Sequence, residues 1–448
     1  MANNPVVNMF KVKELREKMF FTLIILAVFR LGCTLPIPGL DAKVLVDYFA
    51  NLAKNDAAQN AFANYMDFFA GGAFEKFSVF MLGVMPYIST QIIMQLALII
   101  FPSLKRIAQE DGGQQKVALW TRVGSIIVSI IQSLAITVYA DSINQATNGA
   151  AIIIQNPVYF KLLAMLTVTT GSMVTVWLGD QVTAHGIGNG ISLIIFAGIV
   201  ARLPGALWEL VQAVQNQTIN VVFVIVVMLM FIVIIALVVI EQSGERKIPV
   251  HYAKRVVGRK MYGGQNTYIP FKINPSGVIP IIFASSFLTF PLQIANSLSG
   301  RATWLSKLSA FLNPLGVWYN IIQVVLIIFF AYFYTQVTLN PTEIAKNIRE
   351  NGGSIPGIRT DKTEEYLQKV LNRLILPGSL YLAALAVLPT VIQLAFKFPQ
   401  SIAMLMGGTS LLIVVGVDLD TMSQVEALLK MHHHDGLVSK GKLHSRNL

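Results

Sequence analysis

An all-α bundle of ten membrane-spanning helices is the fold class this sequence predicts, and three observations predict it. Hydrophobic residues make up 54% of the chain and charged residues only 13%, against the roughly 25% charged that is typical of soluble domains. The apolar residues gather into runs of about 20, the length that crosses a bilayer as a helix. Lys and Arg fall almost wholly in alternate connections between those runs, the pattern that positive-inside topology produces. The natural unit is therefore one multi-span body rather than a string of soluble domains.

Residues 1–18 are polar and form a short N-terminal segment. No small-residue cleavage site follows the first apolar run, so no removable signal peptide is expected and the first span serves as the insertion signal. Apolar runs then cover residues 20–38, 77–101, 117–139, 158–178, 187–214, 219–240, 276–296, 317–339, 374–396 and 401–419. An even number of spans puts both termini on one side. Segments on that side carry 25 Lys and Arg, those on the other side carry 8 with Arg202 counted among them, and Arg30 alone is left inside a span. Both termini are accordingly expected in the cytoplasm. Topology then accounts for the net charge of +11 without any nucleic acid.

Three connections carry more than a turn. Residues 61–77 are too short, and too interrupted by Gly71 and Gly72, to cross alone. They read as a re-entrant half-helix, which survives at membrane depth only inside protein or beside water. Residues 241–275 form a long basic loop whose Gly258, Gly263 and Gly264 suit the turns of an extended hairpin. Residues 340–373 form a second long loop, with a break at Asn340–Pro341, turns at Gly352–Gly353 and Pro356–Gly357, and a helix from Thr360 onward. Long structured loops tend to be functional.

Several chemistries are excluded or disfavoured. Cys33 is the single cysteine, so neither a disulfide framework nor a cysteine zinc cluster can form. Gly436–Leu443 nearly spells a phosphate-binding loop, but Leu443 stands where Ser or Thr must hold magnesium. His432, His433 and His434 are adjacent, and adjacent helical side chains point about 100° apart and converge poorly on one metal. Gly186, Gly188 and Gly190 open a span rather than follow a soluble strand, and read as backbone flexibility at its entrance. Ionisable residues inside spans mark pathways or proton relays; Arg30 and Asp418 lie near span ends, where snorkelling or a local partner accounts for them. The stretches Gly83–Ile88 and Gly277–Pro280 place Gly and Pro beside β-branched residues. Helix packing and a hydrophobic constriction both use these residue types, and the two readings stay open at this level.

Seven motifs then occur in order along the chain: PIPG at Pro36–Gly39, GVMPYIS at Gly83–Ser89, GIGNGIS at Gly186–Ser192, YAKR at Tyr252–Arg255, GVIPIIFASS at Gly277–Ser286, PGIR at Pro356–Arg359 and GGTSLLIVV at Gly407–Val415. Together they resemble the bacterial SecY family from end to end. The resemblance implies two inverted five-helix halves, residues 19–214 and 219–422, followed by a cytoplasmic tail over 423–448, with a lateral gate toward lipid. It implies a plug over about residues 62–74, including Phe62, Tyr65, Phe68, Gly71, Gly72 and Phe74. It also implies an aliphatic pore ring of Val84, Ile88, Ile191, Ile195, Ile282 and Ile413, in which Val84 departs by one methylene from the five isoleucines. Lys254, Arg255 and Arg359 would dock a motor or a ribosome. Two departures stand out: Thr360–Asp361 where the family often has Pro-Gly, which predicts a less rigid loop tip, and a weaker basic motif at Glu241–Lys247.

The function the resemblance implies is a protein-conducting channel of the bacterial inner membrane, not an enzyme and without cofactors. It would work with SecE and SecG, be driven by the SecA ATPase or a translating ribosome, and handle signal peptides and unfolded preproteins in contact with membrane lipids. A small-solute transporter and an intramembrane enzyme are the rival classes. The first predicts a saturable solute site with coupling ions, the second a nucleophile with its base, or a metal, at bundle depth.

Overall fold

The computed structural model describes residues 12–55, 67, 70–154, 156–217, 219–252, 255–257, 260–262, 266–298, 303–396, 402–403 and 407–440. Each of the ten apolar runs overlaps a helix among them: α1 (Lys13–Gly32), α3 (Met85–Ile100), α5 (Gly113–Ala146), α6 (Pro157–His185), α7 (Gly190–Gln215), α8 (Val221–Ser243), α9 (Ile279–Leu298), α11 (Val317–Thr338), α13 (Thr363–Phe396) and α14 (Gly408–Lys440). Shorter helices intervene: α2 (Ala42–Asn55), α4 (Pro102–Gln109), α10 (Thr303–Phe311) and α12 (Pro341–Glu350). Seven of the long helices are apolar and long enough to span alone, and α3 reaches span length only with α4, which bends away by 103°. The chain groups into two compact units, one of Met1–Leu203 with Ile413–Leu448 and one of Pro204–Leu412.

In the first unit, polar side chains set the helix starts. Asn156 accepts from the Val158 and Tyr159 amides (3.1 and 3.4 Å) to open α6, and Asn189 accepts from Ile191 and Ser192 (3.1 and 3.3 Å) to open α7. Burial on α5 is inverted relative to a soluble helix. Ser125, Ser129 and Ser133 are buried while Ile127, Ile130 and Ile131 are exposed, as small residues favour close helix contact and aliphatics face lipid. Ser129 returns its hydroxyl to the Ile126 carbonyl at 2.8 Å, so no buried donor is lost. Ion pairs Arg122–Asp180 and Lys161–Asp141, each 2.7 Å, join opposite ends of α5 and α6.

Several run boundaries shift. The first span ends at Gly32, and Pro36 instead bridges Ser78 as extended backbone. Residues 77–84, read as the start of the second span, run through turns until α3 begins at Met85. Two strand-like bonds, Ile37 N to Phe77 O (2.8 Å) and Val79 N to Leu35 O (2.9 Å), and turn bonds such as Gly83 N to Phe80 O (2.9 Å) pair much of their backbone. Apolar composition cannot distinguish a helix from irregular backbone that is paired inside protein. The GIGNG glycines also differ from a flexible entrance. Ile187 N donates to Thr22 Oγ1 (3.2 Å), Gly188 N to Gln424 Oε1 (2.9 Å) and Gly190 N to Thr183 Oγ1 (2.9 Å). The loop is thereby tied to α1, α6 and α14.

In the second unit, α8 buries only Val227, Ile234 and Val238, a narrow stripe on a helix otherwise open to lipid. Beyond it β1 (Glu245–Tyr252) pairs antiparallel with β4 (Asn266–Lys272), and β2 (Arg255–Val257) with β3 (Lys260–Tyr262), giving the expected hairpin. Its glycines 258, 263 and 264 lie outside the described residues. β1 also pairs with β5 (Gly353–Ser354), so both long loops enter one sheet of order β4-β1-β5. Ile248, Val250 and Phe271 from the first loop share a core with Ala345, Ile348 and Ile355 from the second and Leu367, Val370 and Leu371 of α13. Asn340 caps α12 through the Thr342 amide (3.2 Å), as its break position suggested. Thr360–Asp361 open a single 3-10 turn, Thr360–Lys362, that leads directly into α13.

Candidate functional site

The backbone from Gly71 to Val84 is irregular and is held by specific contacts, several of them from Asp67. Asp67 is fully buried, and its Oδ1 accepts from the amides of Phe74 (2.9 Å) and Glu75 (3.2 Å). Its own carbonyl accepts from Gly72 N at 3.2 Å, which closes a loop around Gly71 and Gly72. Both glycines have positive φ, +64° and +88°, conformations that a side chain disfavours. At Gly71 a Cβ would also lie 2.6 Å from the Cα of Gly198 on α7. The loop therefore rests backbone to backbone on that helix.

Two arginines hold this loop. Arg202 on α7 pairs with Asp67 Oδ2 at 2.8 Å and with Glu75 Oε1 at 3.6 Å. Arg30 on α1 donates from Nη1 to the Gly71 carbonyl at 2.5 Å. Of the two accounts open for Arg30, snorkelling or a local partner, the structure shows the partner, whereas Asp418 is exposed on α14. Arg202 is not a loop residue as its grouping with the external connections implied, for α7 is unbroken from Gly190 to Gln215. An arginine inside an apolar helix is by default a functional residue, and that rule applied to Arg202 would have found it in the sequence.

Aromatic packing completes the anchorage. Phe74 and Phe77 stack among Phe49 and Tyr139, with ring centroids 6.0–6.4 Å apart. Of the expected plug residues, Gly71, Gly72 and Phe74 belong to this loop and not to a helix, while Phe62, Tyr65 and Phe68 lie outside the described residues. Asp67 and Ala70 are helical, whereas Gly71 and Gly72 are not. Ser172 Oγ donates to the Gly83 carbonyl at 2.9 Å and fixes the exit of the loop just before Val84.

Val84 is the N-cap of α3, and Ile88 lies one turn on, with Ile88 N bonded to Val84 O at 3.1 Å. Both side chains are buried. Ile191 and Ile195 are likewise one turn apart on α7, and Ile413 is buried on α14. Ile191 packs toward α6, where a Cβ at Gly179 would meet its Cγ1 at 3.1 Å. Ile282, half-buried on α9, belongs to the second unit. Of the docking residues, Lys254 lies outside the described residues, Arg255 begins β2, and Arg359 is exposed at the entry to the 3-10 turn.

Comparison with known proteins decides the family. The SecY family model matches residues 78–422. The chain belongs to the SecY family. Relatives named protein translocase subunit SecY include one from Borreliella burgdorferi, 44% identical over 95% of each chain, and one from Escherichia coli, 38% identical over 99% of each. The SecY-family fold is also recognisable in solved structures at 19% identity. One is described as a protein-conducting channel (TM-score 0.64, 96% of this chain and 95% of that one), another as a SecY protein whose plug domain stabilises the closed channel (0.63, the same coverage). A multi-pass membrane protein of translocase-subunit kinship, rather than an enzyme, is what the sequence led us to expect.

Proposed function

We propose that this SecY-family chain conducts unfolded secretory polypeptides across the bacterial cytoplasmic membrane, with both termini in the cytoplasm, and releases apolar segments sideways into lipid. The observation that carries the reading is the loop at 71–84, irregular and largely buried backbone among helices whose outer faces are apolar. Such backbone persists at membrane depth only where protein or water surrounds it, which suits a plug.

Val84, Ile88, Ile191, Ile195, Ile282 and Ile413 form the constriction in this reading. Aliphatic side chains repel water and offer no fixed hydrogen-bond partner, so a ring of them seals by dewetting and passes chains of any sequence. Lateral release follows partition: each helix-centre Leu or Ile favours the bilayer by about 0.3–0.6 kcal/mol, whereas Lys, Arg or Asp opposes entry by about 2.5–3.5 kcal/mol. Energy comes from SecA or a translating ribosome, docked on the two-loop sheet through Lys254, Arg255 and Arg359, with SecE and SecG as membrane partners. The shared core of both loops supports a single rigid docking body.

The test places cysteine at Ile282 and stalls a secretory chain carrying its own cysteine halfway across membranes supplied with SecA and ATP. A substrate-dependent disulfide is expected. Crosslinks from the stalled chain to other positions of this protein but never to position 282 would remove Ile282 from the ring.

A further inference from the structure

Arg202 holds the Asp67–Glu75 loop by charge in a setting where charge is costly. Its side chain is 17% exposed, inside a helix apolar enough to span the bilayer, and Asp67 is 0% exposed. Removing one partner of a buried pair leaves the other charge uncompensated, which is far worse than losing a surface bridge. Arg202 engages both acids of the loop, Asp67 and Glu75. Arg30 contributes differently, because it binds a backbone carbonyl that any residue would present. The aromatic contacts of Phe74 and Phe77 resist displacement without depending on charge.

We propose that Arg202 is a positioning residue that latches the plug in its seat, its ion pair with Asp67 setting the threshold for opening. The proposal rests on the reading of residues 62–74 as a plug and adds the residue that retains it. Opening the channel separates Asp67 from Arg202, and the separated charges must find water or new partners. The latch therefore biases the resting channel toward closure, and a signal peptide must supply enough binding energy to overcome it.

Four variants of the full chain, assembled with its partner subunits in planar bilayers, test this through resting ion conductance without substrate. Arg202→Met keeps the aliphatic stem and removes the charge; Arg202→Lys keeps the charge; Asp67→Asn keeps an acceptor for the Phe74 and Glu75 amides; deletion of residues 62–74 removes the plug. Arg202→Met and Asp67→Asn are expected to raise resting conductance roughly tenfold or more, as loss of a buried charge partner would. Arg202→Lys should stay near the unaltered protein, and Arg202→Met should add nothing in the deletion background. Transport of a preprotein with a defective signal peptide should rise in the same variants. A leak in Arg202→Lys equal to that in Arg202→Met would make the guanidinium's shape, not its charge, responsible and overturn the latch. A leak on plug deletion with none in Arg202→Met or Asp67→Asn would overturn the latch alone. No leak on plug deletion would overturn the plug reading itself.

Discussion

Gly190 sits against Gly179 so closely that a Cβ on Gly190 would lie 1.9 Å from the Gly179 carbonyl oxygen and 2.8 Å from Val182 Cβ. The start of α7 thus packs on the backbone of α6, and the GIGNG loop is locked between Thr22, Thr183 and Gln424. Gly190→Ala must push these elements apart. Overpacking of this kind costs about 1–3 kcal/mol, and thermal unfolding of the detergent-solubilised protein should occur at lower temperature. Gly205→Ala, on the same helix with nothing within 4 Å of the added methyl, should leave the transition unchanged or raise it slightly, since Ala favours helix over Gly.

Leu367 is fully buried in the core that joins the two long loops. Leu367→Ala should destabilise that body by about 2–5 kcal/mol, the usual range for a leucine truncated in a packed core. Because the sheet β4-β1-β5 rests on this core, amide hydrogen exchange should accelerate in both 245–272 and 341–358. Faster exchange in one loop only would contradict a shared body.

Apolar run length was a sufficient signal for the ten helices, since hydrocarbon thickness leaves few other uses for about 20 consecutive apolar residues. It failed at residues 77–84 because paired irregular backbone inside protein is as apolar as a helix. The hairpin at 245–272 was legible from its local turn residues, whereas the pairing of His251 with Ser354 was not, because nothing local to either strand encodes a partner in the other loop. The Gly71–Gly72 break was legible in the sequence and has positive φ at both residues, but the anchors of that loop were not. Asp67 and Arg202 are far apart in sequence, and counting Arg202 as topogenic charge concealed its pairing with Asp67.

Arg359 is exposed beside the two-loop sheet, at the start of the Thr360–Lys362 turn. The turn is braced from the side by Arg349, whose Nη2 donates to the Thr360 carbonyl at 3.4 Å. Arg359→Ala should lower SecA-driven import of a preprotein into vesicles by roughly tenfold, the effect of losing one charge-assisted hydrogen bond to the motor. The same variant should keep its thermal stability, because an exposed arginine contributes little to folding. A matched loss of stability would assign the defect to the fold instead.

Ile413 is almost completely buried on α14, where the proposed constriction needs a side chain that water cannot wet. Ile413→Asn supplies a donor and an acceptor of similar bulk, so a dewetted barrier there should fill with water and conduct ions. Resting conductance in planar bilayers is expected to rise severalfold. Leu166→Asn is the comparison, since Leu166 is exposed on α6 at a lipid-facing position. That change introduces the same polar group at a cost to insertion without touching the constriction, and should leave conductance unaltered. Equal leak from both variants would mean that polarity in the bundle, not at the ring, opens the path, and Ile413 would lose its place in the constriction.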